Sequence, residues 1–150
     1  MKNNRGFSLL ELLIVVAIIL IIATIAIPSL LRSRQAANES SAVANLRTVN
    51  TAEVTYLSSN AGNYGSLAEL YTAGLVDSRF ASGNAVSGYN YTVQASASDY
   101  TAFAHPNSAN SGRYAYYSLP DAVIKYQTGS GCGGPSGNCF PTGMSDQPVQ

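Results

Sequence analysis

Residues 5–34 read RGFSLLELLIVVAIILIIATIAIPSLLRSR, and how this stretch is read decides the fold. Two basic residues, Lys2 and Arg5, precede its apolar run, which from Phe7 to Leu31 extends 25 residues with one charge, Glu11. As a helix rising 1.5 Å per residue this segment extends about 37 Å, enough to cross a hydrocarbon core of about 30 Å. A secretory leader has a shorter apolar core and closes on a small-residue cleavage site. Here the apolar run simply continues, which disfavours a discarded leader. A plain anchor explains the length but leaves Glu11 without a purpose. A carboxylate at the centre of a spanning helix costs on the order of 3 kcal/mol, and such acids usually have a partner. The cost falls toward the membrane face, so an interfacial Glu with no role is the plainer alternative.

Cleavage after Gly6 supplies the missing partner. The new amino terminus is then Phe7, and Glu11 lies four residues, about one helical turn, beyond it. An apolar helix that starts with a free amine and carries one acid a turn later can satisfy both charges between neighbouring copies. Such pairing also fixes the axial register, because a slip leaves buried charges unpaired. The residues 5–28 that carry this logic, RGFSLLELLIVVAIILIIATIAIP, closely resemble the amino-terminal segment of type IV pilins and pseudopilins. The resemblance implies that a membrane aspartyl peptidase cuts after Gly6 and that Phe7 is methylated. It further implies that Glu11 is the assembly residue and that Pro28 bends the helix, near Thr24. Many members of that family carry a glycine in the middle of the apolar run, where this chain has IILII at 18–22, so Pro28 stands alone as the helix-weakening residue.

Residues 32–58 contain no Gly or Pro. Apolar side chains at Val43, Leu46, Val49, Ala52 and Tyr56 recur in steps of three and four, predicting an amphipathic continuation of the helix with Arg47 and Glu53 off the stripe. The Arg and Glu residues here read as a solvated face. SNAGN at 59–63 then stops the helix. GSLAELYTAGLV at 65–76 predicts a short helix with a Ser66–Glu69 capping box, ended by Gly74. Stretches 88–96, 99–106, 113–119 and 122–128 predict two hairpins, the second turning at Pro120-Asp121. The fold class is therefore α+β: a long amino-terminal helix on an antiparallel sheet of about four strands. The chain divides into a leader at 1–6, a transmembrane and assembly helix at 7–31, its amphipathic continuation at 32–59, and a globular domain at 60–150.

Cys132 and Cys139 flank six residues in CGGPSGNC. A disulfide closing that loop contributes about 2.5 kcal/mol on the loop-entropy model and places the domain in an oxidising compartment. The rival reading, a metal site, finds only His105 and no further cysteines to complete four ligands. The charges flanking the apolar run, Lys2 and Arg5 before and Arg32 and Arg34 after, do not decide orientation; the cysteines and the cleavage logic put the carboxy-terminal part outside.

Zero formal net charge argues against nucleic acid as the main partner. Nine of the ten tyrosines lie beyond residue 60, with only Arg79, Arg113 and Lys125 as bases there. Stacking platforms for single strands come with basic grooves, so strand packing is the better account of the tyrosines. His105 reads as a lone surface histidine. No nucleophile elbow, paired carboxylates or phosphate loop is present, so no enzyme and no cofactor is expected. Asp121 and Asp146 stand 25 residues apart, a weak basis for calcium. Asn38-Glu39-Ser40 and Asn90-Tyr91-Thr92 fit the glycosylation acceptor pattern, with little weight in a chain of this type.

The resemblance implies a filament subunit, first held in the bacterial inner membrane and then in an extracellular helical homopolymer. Its partners are further copies of itself, the prepilin peptidase and the pilus or secretion assembly machinery. Adhesion, twitching motility and DNA uptake are roles of such filaments, and no residue selects among them. The alternatives are a pseudopilin of a type II secretion system, a minor pilin (which absence of Glu at position 11 would have favoured) and a monomeric membrane-tethered binding domain.

Overall fold

The computed structural model describes residues 7–128 and 147–148, with Thr128, Gln147 and Pro148 described by backbone alone. The chain forms two units, residues 1–34 and 35–150. A single helix, α1 (Leu9–Ser59), supplies the described part of the first unit and opens the second. It begins after Ser8, whose carbonyl accepts the Leu12 N–H at 3.2 Å. It stays helical on both sides of Pro28, where the proline has no N–H to give Thr24; the Thr24 hydroxyl donates to the Ile21 carbonyl at 2.8 Å.

In the second unit α1 becomes one wall of a core. Glu39, Ala42, Leu46, Val49, Asn50, Ala52 and Glu53 are its buried residues. Leu46, Val49 and Ala52 of the predicted stripe are on this face, while Val43 and Tyr56 flank it, half-buried. One residue reverses expectation: Glu53, read as lying off the stripe, is fully buried. The helix ends where Ala61 and Gly62 take positive φ (52° and 81°) and the Gly62 N–H donates to the Leu57 carbonyl at 3.1 Å.

The short helix α2 (Leu67–Thr72) forms as predicted, with both halves of the Ser66–Glu69 capping box in place. The Ser66 N–H reaches Glu69 Oε2 at 2.7 Å and the Glu69 N–H reaches Ser66 Oγ at 3.4 Å. A further one-turn helix, α3 (Ser78–Ala81), is too short for periodicity to reveal; Asp77 caps it and Phe80 anchors it in the core. The sheet is an antiparallel meander of β1 (Tyr89–Ala95), β2 (Tyr100–Pro106), β3 (Tyr114–Ser118) and β4 (Ile124–Thr128), close to the four predicted stretches. A two-residue β5 (Gln147–Pro148), outside the four predicted stretches, pairs with Lys125 and Tyr126 at the edge of β4. Cys132 and Cys139 lie outside the described residues.

The inward faces of the strands carry Tyr89, Tyr91, Tyr100, Ala102, Ala104, Tyr116 and Ile124 against α1. Ala102 and Ala104 are fully buried, and their small side chains leave room for the rings around them. Buried phenols need partners. Tyr89 Oη donates to the Tyr114 carbonyl at 2.8 Å, Asn45 Nδ2 donates to Tyr91 Oη at 2.9 Å, and Tyr100 Oη donates to Asn50 Oδ1 at 3.1 Å. Asn50 completes this set by donating to Ser118 Oγ at 2.7 Å. Burial pushes the Tyr100 phenol up to about 12, with the Glu53 carboxylate adding to the shift. Above these bonds, Gln35, Asn38 and Glu39 hold the chain between β2 and β3. Gln35 donates to the Ala109 carbonyl (3.0 Å) and Asn38 to the Ser111 carbonyl (2.9 Å), while Glu39 accepts from the Arg113 backbone and guanidinium (2.8 to 3.2 Å).

Glu53 is less well served. Its Oε2 accepts the Gly65 N–H at 3.1 Å, and its buried Oε1 has no hydrogen-bond partner among the described residues. Burial raises its pKa, the Gly65 bond opposes this, and the charge of Glu69 adds to it. The fold thus holds the Glu53 proton more tightly than the unfolded chain does. Its contribution to stability is fully present below the ordinary value of 4.5 and is lost as pH rises through the displaced folded value. Thermal unfolding of the full chain in detergent, followed by tyrosine near-ultraviolet dichroism, is expected to show a melting temperature that falls over this window. Glu53→Gln flattens that dependence, and an unchanged slope in the variant contradicts the assignment. In the same assay Gly112→Ala destabilises by about 1–3 kcal/mol, because the added Cβ collides with the Tyr89 hydroxyl.

Candidate functional site

The first unit presents a surface that water does not favour. From Phe7 (77% exposed) and Leu9 (81% exposed) through Leu31, the large apolar side chains of α1 are exposed around the whole circumference of the helix. A helix apolar on all sides belongs in lipid or among other helices. It is long and apolar enough to cross a membrane by length and composition. Ile14, Ile18, Ile21, Ile22 and Ile25 are branched at Cβ and hold few rotamers in a helix, so packing them against neighbours loses little further entropy.

Glu11 is the one charge in this surface and sits in the first turn of α1. An acid there complements the unpaired N–H groups and positive end of the helix. Among the described residues its carboxylate has no ion-pair or hydrogen-bonding partner within the chain. Phe7 precedes the helix by two residues, so an amine on Phe7 would stand about a turn from Glu11. Gly6, the expected cleavage position, lies outside the described residues, as do Lys2 and Arg5. Arg32 and Arg34 are exposed just beyond the apolar run.

The remaining candidates from the sequence are dispersed. His105 is half-buried in β2 opposite Asn90, and burial lowers its pKa. Asp121 lies 3.6 Å from Lys125 at the β3–β4 turn, and Asp146 is outside the described residues. The amides of both acceptor-pattern asparagines are engaged, Asn38 with the Ser111 carbonyl and Asn90 with Asn107 Oδ1 at 3.2 Å. Glu39 and Arg113, assigned to no pair from sequence, meet at 3.0 Å although they stand 74 positions apart in the chain. Separation of that size leaves no local signal. The buried Glu39 carboxylate holds the Arg113 pKa above its usual range, first by hydrogen bonding and then by its charge.

The prokaryotic N-terminal methylation motif matches residues 1–27 of the chain. Over 56 residues, 37% of this chain, the sequence is 46% identical to the type IV major pilin protein PilA of Myxococcus xanthus. Over 46 residues, 31% of this chain, it is 52% identical to the type IV wide pilus major component PilA4 of Thermus thermophilus. The matched stretch spans 26% of the length of the first relative and 35% of the second. Over its amino-terminal segment the chain is thus similar to two type IV major pilins.

Proposed function

We propose that the chain is a structural subunit of a type IV pilus, made as a precursor and polymerised through α1. Residues 1–6 are the leader, removed by prepilin peptidase after Gly6, and Phe7 is the methylated amino terminus. Residues 7–31 hold the subunit in the inner membrane until the assembly machinery draws it into the filament. There the apolar helix exchanges lipid for the helices of neighbouring copies, and Glu11 of one copy meets the Phe7 amine of another. Pro28 gives the helix a place to bend as it packs. The globular domain, 60–150, carries a Cys132–Cys139 disulfide, faces the periplasm and then coats the outside of the filament. The role is structural and not catalytic.

The observation that carries this reading is the exposed apolar helix with a single acid, one turn from Phe7, that has no partner among the described residues. A tethered binding domain needs the length of that helix but not the acid. Pairing explains why a charge is kept at a position where an apolar residue would insert more easily.

Intact mass and amino-terminal analysis of the chain in a sheared cell-surface fraction tests the proposal. The expected result is a chain starting at methylated Phe7, lighter by the two hydrogens of the disulfide. A form starting at Met1 and confined to the envelope overturns it. A cut form absent from the sheared fraction indicates a secretion pseudopilin instead. Glu11→Ala is expected to insert and be cleaved normally but to assemble poorly. Leaving one buried charge unpaired costs about 3–5 kcal/mol, a loss of roughly a hundredfold or more in subunit addition. Filaments at wild-type yield from this variant remove the pairing argument. A chain starting at Gln35, which keeps the whole second unit, is expected to be soluble without detergent and to retain the tyrosine dichroism of the full chain.

A further inference from the structure

Arg32 and Arg34 follow the apolar run of α1 directly, and both are exposed. No acid stands three or four positions from either, the spacing at which side chains meet on a helix, and the first unit has no acid after Glu11. Among the described residues neither guanidinium has an ion pair or a hydrogen bond. Arg79, Arg113 and Lys125, by contrast, each have a carboxylate oxygen within 3.6 Å.

Their level along the helix is measured from Glu11. Arg32 follows it by 21 positions and Arg34 by 23, or about 32 and 35 Å at 1.5 Å per residue. A hydrocarbon core is about 30 Å thick, and the headgroup layers add roughly 5–8 Å on each side. With Glu11 at one boundary, both arginines stand in the headgroup layer of the opposite leaflet. A groove of about 500 Å³ leads into that layer, lined by Ala26, Ile27, Ser29, Leu30 and Ser33. Arg34 lies four positions beyond Leu30 and seven beyond Ile27, so it stands over the groove. Arg32, two positions away from Arg34, is turned to the far side of the helix. The groove thus passes from apolar side chains to the Ser33 hydroxyl and then to the Arg34 guanidinium. Neither the Ser29 nor the Ser33 hydroxyl has a hydrogen bond among the described residues, whereas the deeper Thr24 hydroxyl donates to the Ile21 carbonyl.

A phospholipid presents matching groups in the same order: acyl chain, ester carbonyl, phosphate. A guanidinium takes phosphate through paired N–H donors, and a serine hydroxyl can donate to an ester carbonyl. An anionic lipid fits better than a zwitterionic one, whose own ammonium competes for the phosphate. We infer that the groove holds one anionic phospholipid of the leaflet opposite Glu11. Its acyl chain lies along Ala26, Ile27 and Leu30, its ester carbonyl accepts from Ser33, and its phosphate sits on Arg34. Basic residues just beyond a span are drawn to anionic headgroups as a class, and the groove confines that attraction to one face. This site rests on the membrane-held precursor of the filament reading above. A subunit that enters a filament leaves this lipid behind and frees the face that it covered.

Native mass spectrometry of retained lipid tests it. The full chain is reconstituted into vesicles of phosphatidylglycerol and phosphatidylethanolamine in equal amounts, extracted in a mild detergent and weighed with whatever lipid stays bound. The expected result is a monomer that keeps phosphatidylglycerol over phosphatidylethanolamine by roughly fivefold, the effect of one arginine at an anionic surface. Arg34→Gln brings that ratio close to one, while Arg32→Gln, off the groove, keeps it. The thermal unfolding of both variants stays that of the wild type. Equal loss in the two variants overturns the inference, because it means a basic collar without a groove. Displacement of the lipid by inorganic phosphate also overturns it, since an anion contact alone is then at work. Lipid-free dimers of the wild type overturn it as well, by placing a second copy in the groove. All three leave the filament reading standing. A wild-type chain that does not enter the vesicles overturns the membrane-held precursor itself.

Discussion

The rest of the structure depends on a helix that changes solvent along its length. Up to Leu31 the large apolar side chains of α1 lie on every side of the helix and are exposed. From Gln35 onward the helix is amphipathic and buries one face under a sheet. Apart from its ends and the Thr24 carbonyl opposite Pro28, α1 meets its backbone hydrogen bonds within the helix, which is the condition for a segment to lie in lipid. The two halves differ only in what the side chains ask of their surroundings. In the first, that demand is met by lipid or by other copies, and in the second by the chain itself.

The sheet answers with tyrosine. A small domain has little apolar area to bury, and rings with one polar tip supply area while asking for one hydrogen bond each. Asn45, Asn50 and Ser118 are placed to meet that need, and the main chain of Tyr114 meets it for Tyr89. Edge-to-face contacts of Phe80 with Tyr91 (5.2 Å between centroids) and Tyr114 with Tyr126 (5.3 Å) extend the cluster. The tyrosines thus need no ligand to explain them.

Two acids on the buried face of α1 show how differently a carboxylate can be held. Glu39 receives a backbone N–H and two guanidinium N–H groups, so its charge is matched and its position ties the start of the second unit to β3. Glu53 has one backbone donor and an orphaned oxygen, and burial favours its neutral form. The same residue type, on one face of one helix, is a structural clasp in the first case and a proton-dependent contact in the second.

What the sequence alone determined is whatever depends on neighbours along the chain. The unbroken apolar run with Glu11, the Ser66–Glu69 cap, the helix stop at Gly62 and the four main strand stretches are all local patterns, and the structure carries each of them. The tertiary structure decided which charges meet and which are enclosed. Arg113 finds Glu39 from 74 positions away, Glu53 is taken into the core although periodicity put it outside, and β5 adds to the sheet from a stretch with no strand pattern. Arg47 and Glu53 looked alike in the sequence, both charged and both off the stripe. Their fates diverge because the position of α1 against the sheet and of the chain at Gly65, not helical phase alone, sets which side chains lose their water.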